Sequence, residues 1–106
     1  VGLLVRDNVP EILKRRGFDC DAIELEGDEL LRATTLALLE TAQLLAFDLL
    51  GRPNGTVSRL ADLYDVLDLL SRQLDVWPAQ VQEYRRQLGE REGLMHGRYL
   101  VRASKR

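Results

Sequence analysis

A chain of 106 residues with a formal net charge of −2 and a pI near 5.4 is one domain, and no global field draws it to DNA or RNA. Its one cysteine, Cys20, excludes an internal disulfide and points to a reducing compartment, the cytoplasm. No signal peptide is evident and no uninterrupted apolar run is long enough to span a bilayer, so neither nucleic acid nor membrane is expected as a partner.

Val1-Gly2-Leu3-Leu4-Val5 opens the chain as a short β-capable segment. Asn8-Val9-Pro10-Glu11 then carries helix-start signals: a capping residue, a carboxylate three places on, and proline in the first turn. The helix they begin is expected to reach about Arg16 and stop at Gly17, with Lys14, Arg15 and Arg16 complementing its negative end. Ala22, Ile23 and Leu25 alternate with acids and suggest a short strand or extended arm.

A second helix is expected from Asp28-Glu29 to Gly51. Leu36, Leu38, Leu39, Ala42, Leu44, Leu45, Ala46, Phe47, Leu49 and Leu50 point from it in nearly every direction, and a helix apolar all round has to be covered on all sides. After the break at Gly51-Arg52-Pro53-Asn54-Gly55, a third helix capped by Thr56 or Ser58 shows a narrower stripe. Leu60, Leu63, Leu67, Leu70 and Leu74 alternate three- and four-residue steps, the spacing of an antiparallel seam, with Asp65, Asp68 and Arg72 on the watered side. Trp77-Pro78 breaks the chain again, with Trp77 read as packing under the turn. A fourth helix follows to about Leu88, then a glycine-rich loop. Arg98-Tyr99-Leu100-Val101-Arg102-Ala103 alternates enough to pair as a strand with the opening segment.

The expected architecture is an all-α, single-domain helical bundle over residues 1–106, built on a central helical hairpin with short terminal strands. A domain of this size buries roughly two-thirds of its surface. With few other helices to enclose the second one, completion by a second copy, a homodimer, is expected.

Three blocks carry a resemblance. Leu4 to Leu13, LVRDNVPEIL, is similar to the LVRDKIPEII opening of MazG-like proteins of the phosphoribosyl-ATP pyrophosphohydrolase-like branch. Arg59 to Leu70, RLADLYDVLDLL, resembles that family's ELADVLEVIDAL, and Glu90 to Val101 resembles its closing ERGGF…GRYLL. The resemblance implies an all-α nucleotide pyrophosphohydrolase, dimeric or a dimer of dimers. Its reaction would be Mg²⁺- or Mn²⁺-dependent cleavage of a nucleoside triphosphate or related nucleotide to monophosphate and pyrophosphate. Hard cations take oxygen ligands, which the family supplies from EExxE on one helix and ExxD on the next. Carried over, the surviving metal ligands are Glu40 and Asp62, with Asp65 as a supplement, and Arg91 and Arg98 would contact substrate phosphates. The replaced ligand positions are Leu39, Gln43 and Arg59.

Arg59 stands where the family has an acid. Two placements are open to it: between Glu40 and Asp62 as an ion-paired stand-in for the cation, or extended into solvent. Two functions follow. One is a divergent nucleotide pyrophosphohydrolase; the other is a catalytically inactive dimeric scaffold of the same fold, binding a nucleotide weakly or a protein partner.

Overall fold

The computed structural model describes residues 4–51 and 55–105. Four helices occur among them: α1 (Val9–Arg15), α2 (Gly27–Leu50), α3 (Thr56–Gln73) and α4 (Pro78–Glu92). By their internal contacts the residues divide into two compact units, Val1–Asp75 and Val76–Arg106.

Local chemistry sets the helix ends. Pro10 occupies the first turn of α1, where a missing N–H costs nothing because those donors have no helical partner. Asn8 takes the N-cap position without a side-chain capping bond, and Glu11 pairs with Arg15 one turn on at 2.9 Å rather than completing a capping box. The Cys20 thiol donates to the Pro10 carbonyl at 3.5 Å, tying the following segment back to α1. α2 ends at Gly51, whose N–H reaches the Phe47 carbonyl. α3 is preceded by Gly55 at φ +76, a conformation that favours glycine, so neither Thr56 nor Ser58 is its N-cap. α4 runs through Gly89 to Glu92, four residues past the expected end. Gly89 lies inside this helix rather than in a loop; a Cβ there would meet only the tip of the exposed Leu94 side chain.

The described residues contain no strand. Residues 22–25 and 99–103 have no regular structure, and neither do Leu4 and Val5; the start of the opening segment, 1–3, lies outside the described residues. A strand is stabilised by its partner's hydrogen bonds, and short alternating runs here find none.

The first unit is organised by α2 and α3, the helices in closest contact. Two polar pairs define their antiparallel register. Gln73 Nε2 donates to Thr34 Oγ1 at 2.7 Å, and Arg59 Nε donates to Asp48 Oδ2 at 3.0 Å. Both pairs are centred on the same point of the turn, midway between positions 53 and 54. The face α3 turns to α2 carries Arg59, Leu63, Val66, Leu70 and Gln73, all half-buried. This corrects the expected seam: Leu60, Leu67 and Leu74 lie to one side, 39%, 44% and 57% exposed. The Arg59–Asp48 pair is about one-third and one-quarter exposed, so it is worth more than a surface ion pair and less than a buried one. Arg59→Ala is expected to cost about 1 kcal/mol, read as a melting-point drop of roughly 5 °C; an unchanged melt would mean the pair does not hold in solution.

α2 is covered on one side only. Thr34 is its single fully buried residue, and among the described residues no hydrophobic side chain is fully buried. Opposite the α3-facing side, Leu36, Leu39, Gln43, Phe47 and Leu50 follow one another at three- and four-residue steps. Leu36, Leu39, Phe47 and Leu50 are more than half exposed. By length and composition α2 is also apolar enough to cross a bilayer, although Glu40 and Asp48 interrupt its apolar run. Its partner α3 carries Arg59, Asp62, Asp65, Asp68 and Arg72 and is not.

Candidate functional site

The acids expected to form the site sit on α2 and α3. Asp62 and Asp65, three residues apart, share a flank of α3, and a residue from the opening block closes on both. Arg6 Nη2 lies 2.8 Å from Asp62 Oδ1, and Arg6 Nη1 lies 2.6 Å from Asp65 Oδ2. The forked guanidinium suits this bridging because its two terminal nitrogens diverge at a fixed angle. Hydrogen bonds to Asp62 and then Asp65 push the Arg6 pKa further up, so its charge is permanent. All three side chains stay accessible: 59% for Arg6, 40% for Asp62 and 57% for Asp65.

Glu40 does not join them. It lies on the outer side of α2, one turn after Leu36, exposed and without an ion pair among the described residues. The expected trio of Glu40, Asp62 and Asp65 is therefore not assembled, and no group of three His, Cys, Asp or Glu side chains able to hold a metal occurs among the described residues. Mg²⁺ demands near-octahedral oxygen ligation. Two carboxylates already bridged by a guanidinium do not supply that ligand set. Of the replaced positions, Leu39 and Gln43 face outward. Arg59 does pair with an acid, but with Asp48 rather than with Glu40 and Asp62.

Sequence reasoning missed Arg6 and Asp48. Arg6 had a signal: it stands inside the opening block that resembles the family. Asp48 had one as well, since it and Arg59 interrupt apolar stripes at positions equidistant from the turn.

The second unit holds the two expected phosphate contacts. Arg91 approaches its neighbour Glu92 at 3.9 Å, a weak contact, and Arg98 is exposed. An open groove of about 290 Å³ lies along α4, lined by Val76, Gln80, Val81, Tyr84 and Arg85. Trp77, expected to be packed, is 66% exposed, and its N–H donates to Gln80 Oε1 at 2.7 Å across the first turn of α4.

The exposed face of α4 is laced by Arg86, which donates to Glu83 at 2.7 Å and to Glu90. Bonds from Arg86 and then Gln87 hold the Glu83 carboxyl below its usual range. The folded pKa is thus lower than the unfolded one. The pair's contribution is complete above the ordinary glutamate pKa and disappears as pH falls through the folded value. An NMR titration of the Glu83 side-chain carboxyl carbon should give a midpoint below that of glutamate in an unstructured peptide, and Arg86→Gln should move it most of the way back, the Gln87 bond remaining.

Compared with known proteins, the chain matches no family model, no curated sequence and no solved structure. The class that fold and site together define is an all-helical protein organised by an antiparallel helix pair, with a guanidinium-bridged acid pair on its flank.

Proposed function

We propose that this chain is a non-catalytic, self-associating helical scaffold of MazG-like descent, working in the cytoplasm. The observation that carries the reading is the uncovered apolar side of α2: among the described residues no hydrophobic side chain is fully buried, and Leu36, Leu39, Phe47 and Leu50 are more than half exposed. A contiguous apolar stripe of this kind on a central helix is the surface that an obligate interface covers. The open stripe of α2 supplies the apolar centre of such an interface: Leu36, Leu39, Phe47 and Leu50, two-fold related to the same residues of a second copy. The Arg6 bridge supports the absence of catalysis, because it occupies an oxygen of each of the two acids proposed as metal ligands and offsets half of their charge.

A nucleotide pyrophosphohydrolase is the competing reading. Asp62 and Asp65 are exposed, and displacement of the Arg6 guanidinium would free both. Incubation with a panel of nucleoside triphosphates and Mg²⁺ or Mn²⁺ separates the two readings. The scaffold reading expects no pyrophosphate release and no metal-dependent rise in melting temperature. Release that disappears in Asp62→Asn would establish the enzyme instead.

A further inference from the structure

Charge is not spread evenly along the chain. Residues 1–75 hold fourteen acids and eight basic residues, net −6; residues 76–106 hold three acids and seven basic residues, net +4. The basic excess is densest after α4, where residues 93–106 contain Arg98, Arg102, Lys105 and Arg106 and no acid. Large apolar side chains alternate with these: Met95 is 99% exposed and Tyr99 90%, and Leu94, Leu100 and Val101 are similarly bare. This arm has no regular structure and makes no ion pair among the described residues.

α3 offers the complementary surface. Val57, Leu60, Tyr64 and Leu67 form a second apolar stripe that α2 does not cover, with Tyr64 67% exposed. Asp68 stands one turn after Tyr64 on the same side and, unlike Asp62 and Asp65, has no ion-pair partner among the described residues.

We propose that the arm of residues 94–105 docks on the α3 stripe of a second copy, placing Tyr99 and Val101 against Tyr64 and Leu60 and the basic side chains around Asp68. The proposal rests on the self-associating reading above. Opposite charge steers the arm to the hairpin and keeps arms from pairing with each other, and the exposed aromatic side chains supply the buried area.

A charge exchange in full-length protein tests it. One variant carries Arg98→Glu, Arg102→Glu and Lys105→Glu; the other carries Ala61→Lys and Asp68→Lys on the exposed side of α3. All five positions are exposed, so circular dichroism should show unchanged helix content. By sedimentation equilibrium, each variant alone is expected to self-associate at least tenfold more weakly than wild type, and an equimolar mixture is expected to recover wild-type affinity. Recovery occurs only if the arm of one chain meets α3 of the other. Two weak variants whose mixture stays weak would place the arm on its own hairpin and overturn the proposal, as would variants that associate like wild type. A wild type that is monomeric at every concentration would instead remove the self-associating reading, a distinguishable result.

Discussion

Leu39→Asp combined with Phe47→Asp is expected to convert the proposed homodimer to a monomer, raising the dissociation constant by about 1,000-fold or more. Leu39 and Phe47 are 55% and 80% exposed in the single chain, and both lie on the side of α2 away from α3. Burying side chains of this size contributes about 1.5–3 kcal/mol each. By two-fold symmetry each is buried twice, once in each protomer. Aspartate forfeits that contribution and sets like charges against each other across the axis. Because neither residue packs within the chain, the isolated hairpin loses little. Sedimentation equilibrium reads the affinity directly, and thermal melts provide a second reading. The wild-type melting temperature should climb with protein concentration, as for any fold stabilised by its own association, and the variant's should not. A wild type whose melting temperature ignores concentration would remove the basis of the proposed function.

The second large effect concerns Thr34 and Gln73, at the end of the helix pair remote from the turn. Thr34 Oγ1 donates to the Leu30 carbonyl at 2.7 Å and accepts from Gln73 Nε2, while Gln73 Oε1 is buried without a partner. Thr34→Val keeps the volume but removes the acceptor of Gln73 Nε2, leaving neither end of the Gln73 amide with a hydrogen-bond partner among the described residues. The expected loss is about 2–3 kcal/mol, a melting-point drop on the order of 10 °C. Gln73→Leu should do the opposite. It removes the unpartnered oxygen, leaves Thr34 its own bond to Leu30, and adds apolar contact at a half-buried position, so stability is expected to hold or rise. The double variant should recover most of what Thr34→Val loses. Chemical denaturation of the four proteins at one concentration checks the cycle; a Gln73→Leu variant as unstable as Thr34→Val would show that the amide is needed for more than pairing.

That polar pair also explains which parts of the fold could be read in advance. The helices were legible because proline, glycine and charge mark their ends locally: Pro10, Gly17, Gly51 and Pro78 all stand where a helix starts or stops. The facing surfaces of α2 and α3 were not legible from apolar spacing. α3 carries two apolar stripes, and leucine content favours the one with Leu60, Leu67 and Leu74. Asp48 and Thr34 on α2 select the other, because only that rotation gives Arg59 and Gln73 partners. The candidate site failed for a related reason. Helical spacing places Asp62 and Asp65 together, but whether Glu40 joins them depends on which way α2 is turned.

By itself, the amino-acid sequence determined the helical class, the element boundaries to within a few residues, and an apolar surface larger than α3 can cover. Those properties follow from local backbone chemistry and composition. Only the tertiary structure decided the rotation of each helix about its axis, the closure of Arg6 on Asp62 and Asp65, and the outward placement of Glu40. Such choices turn on pairing polar groups between segments far apart in the chain, and no local pattern encodes the distance between them.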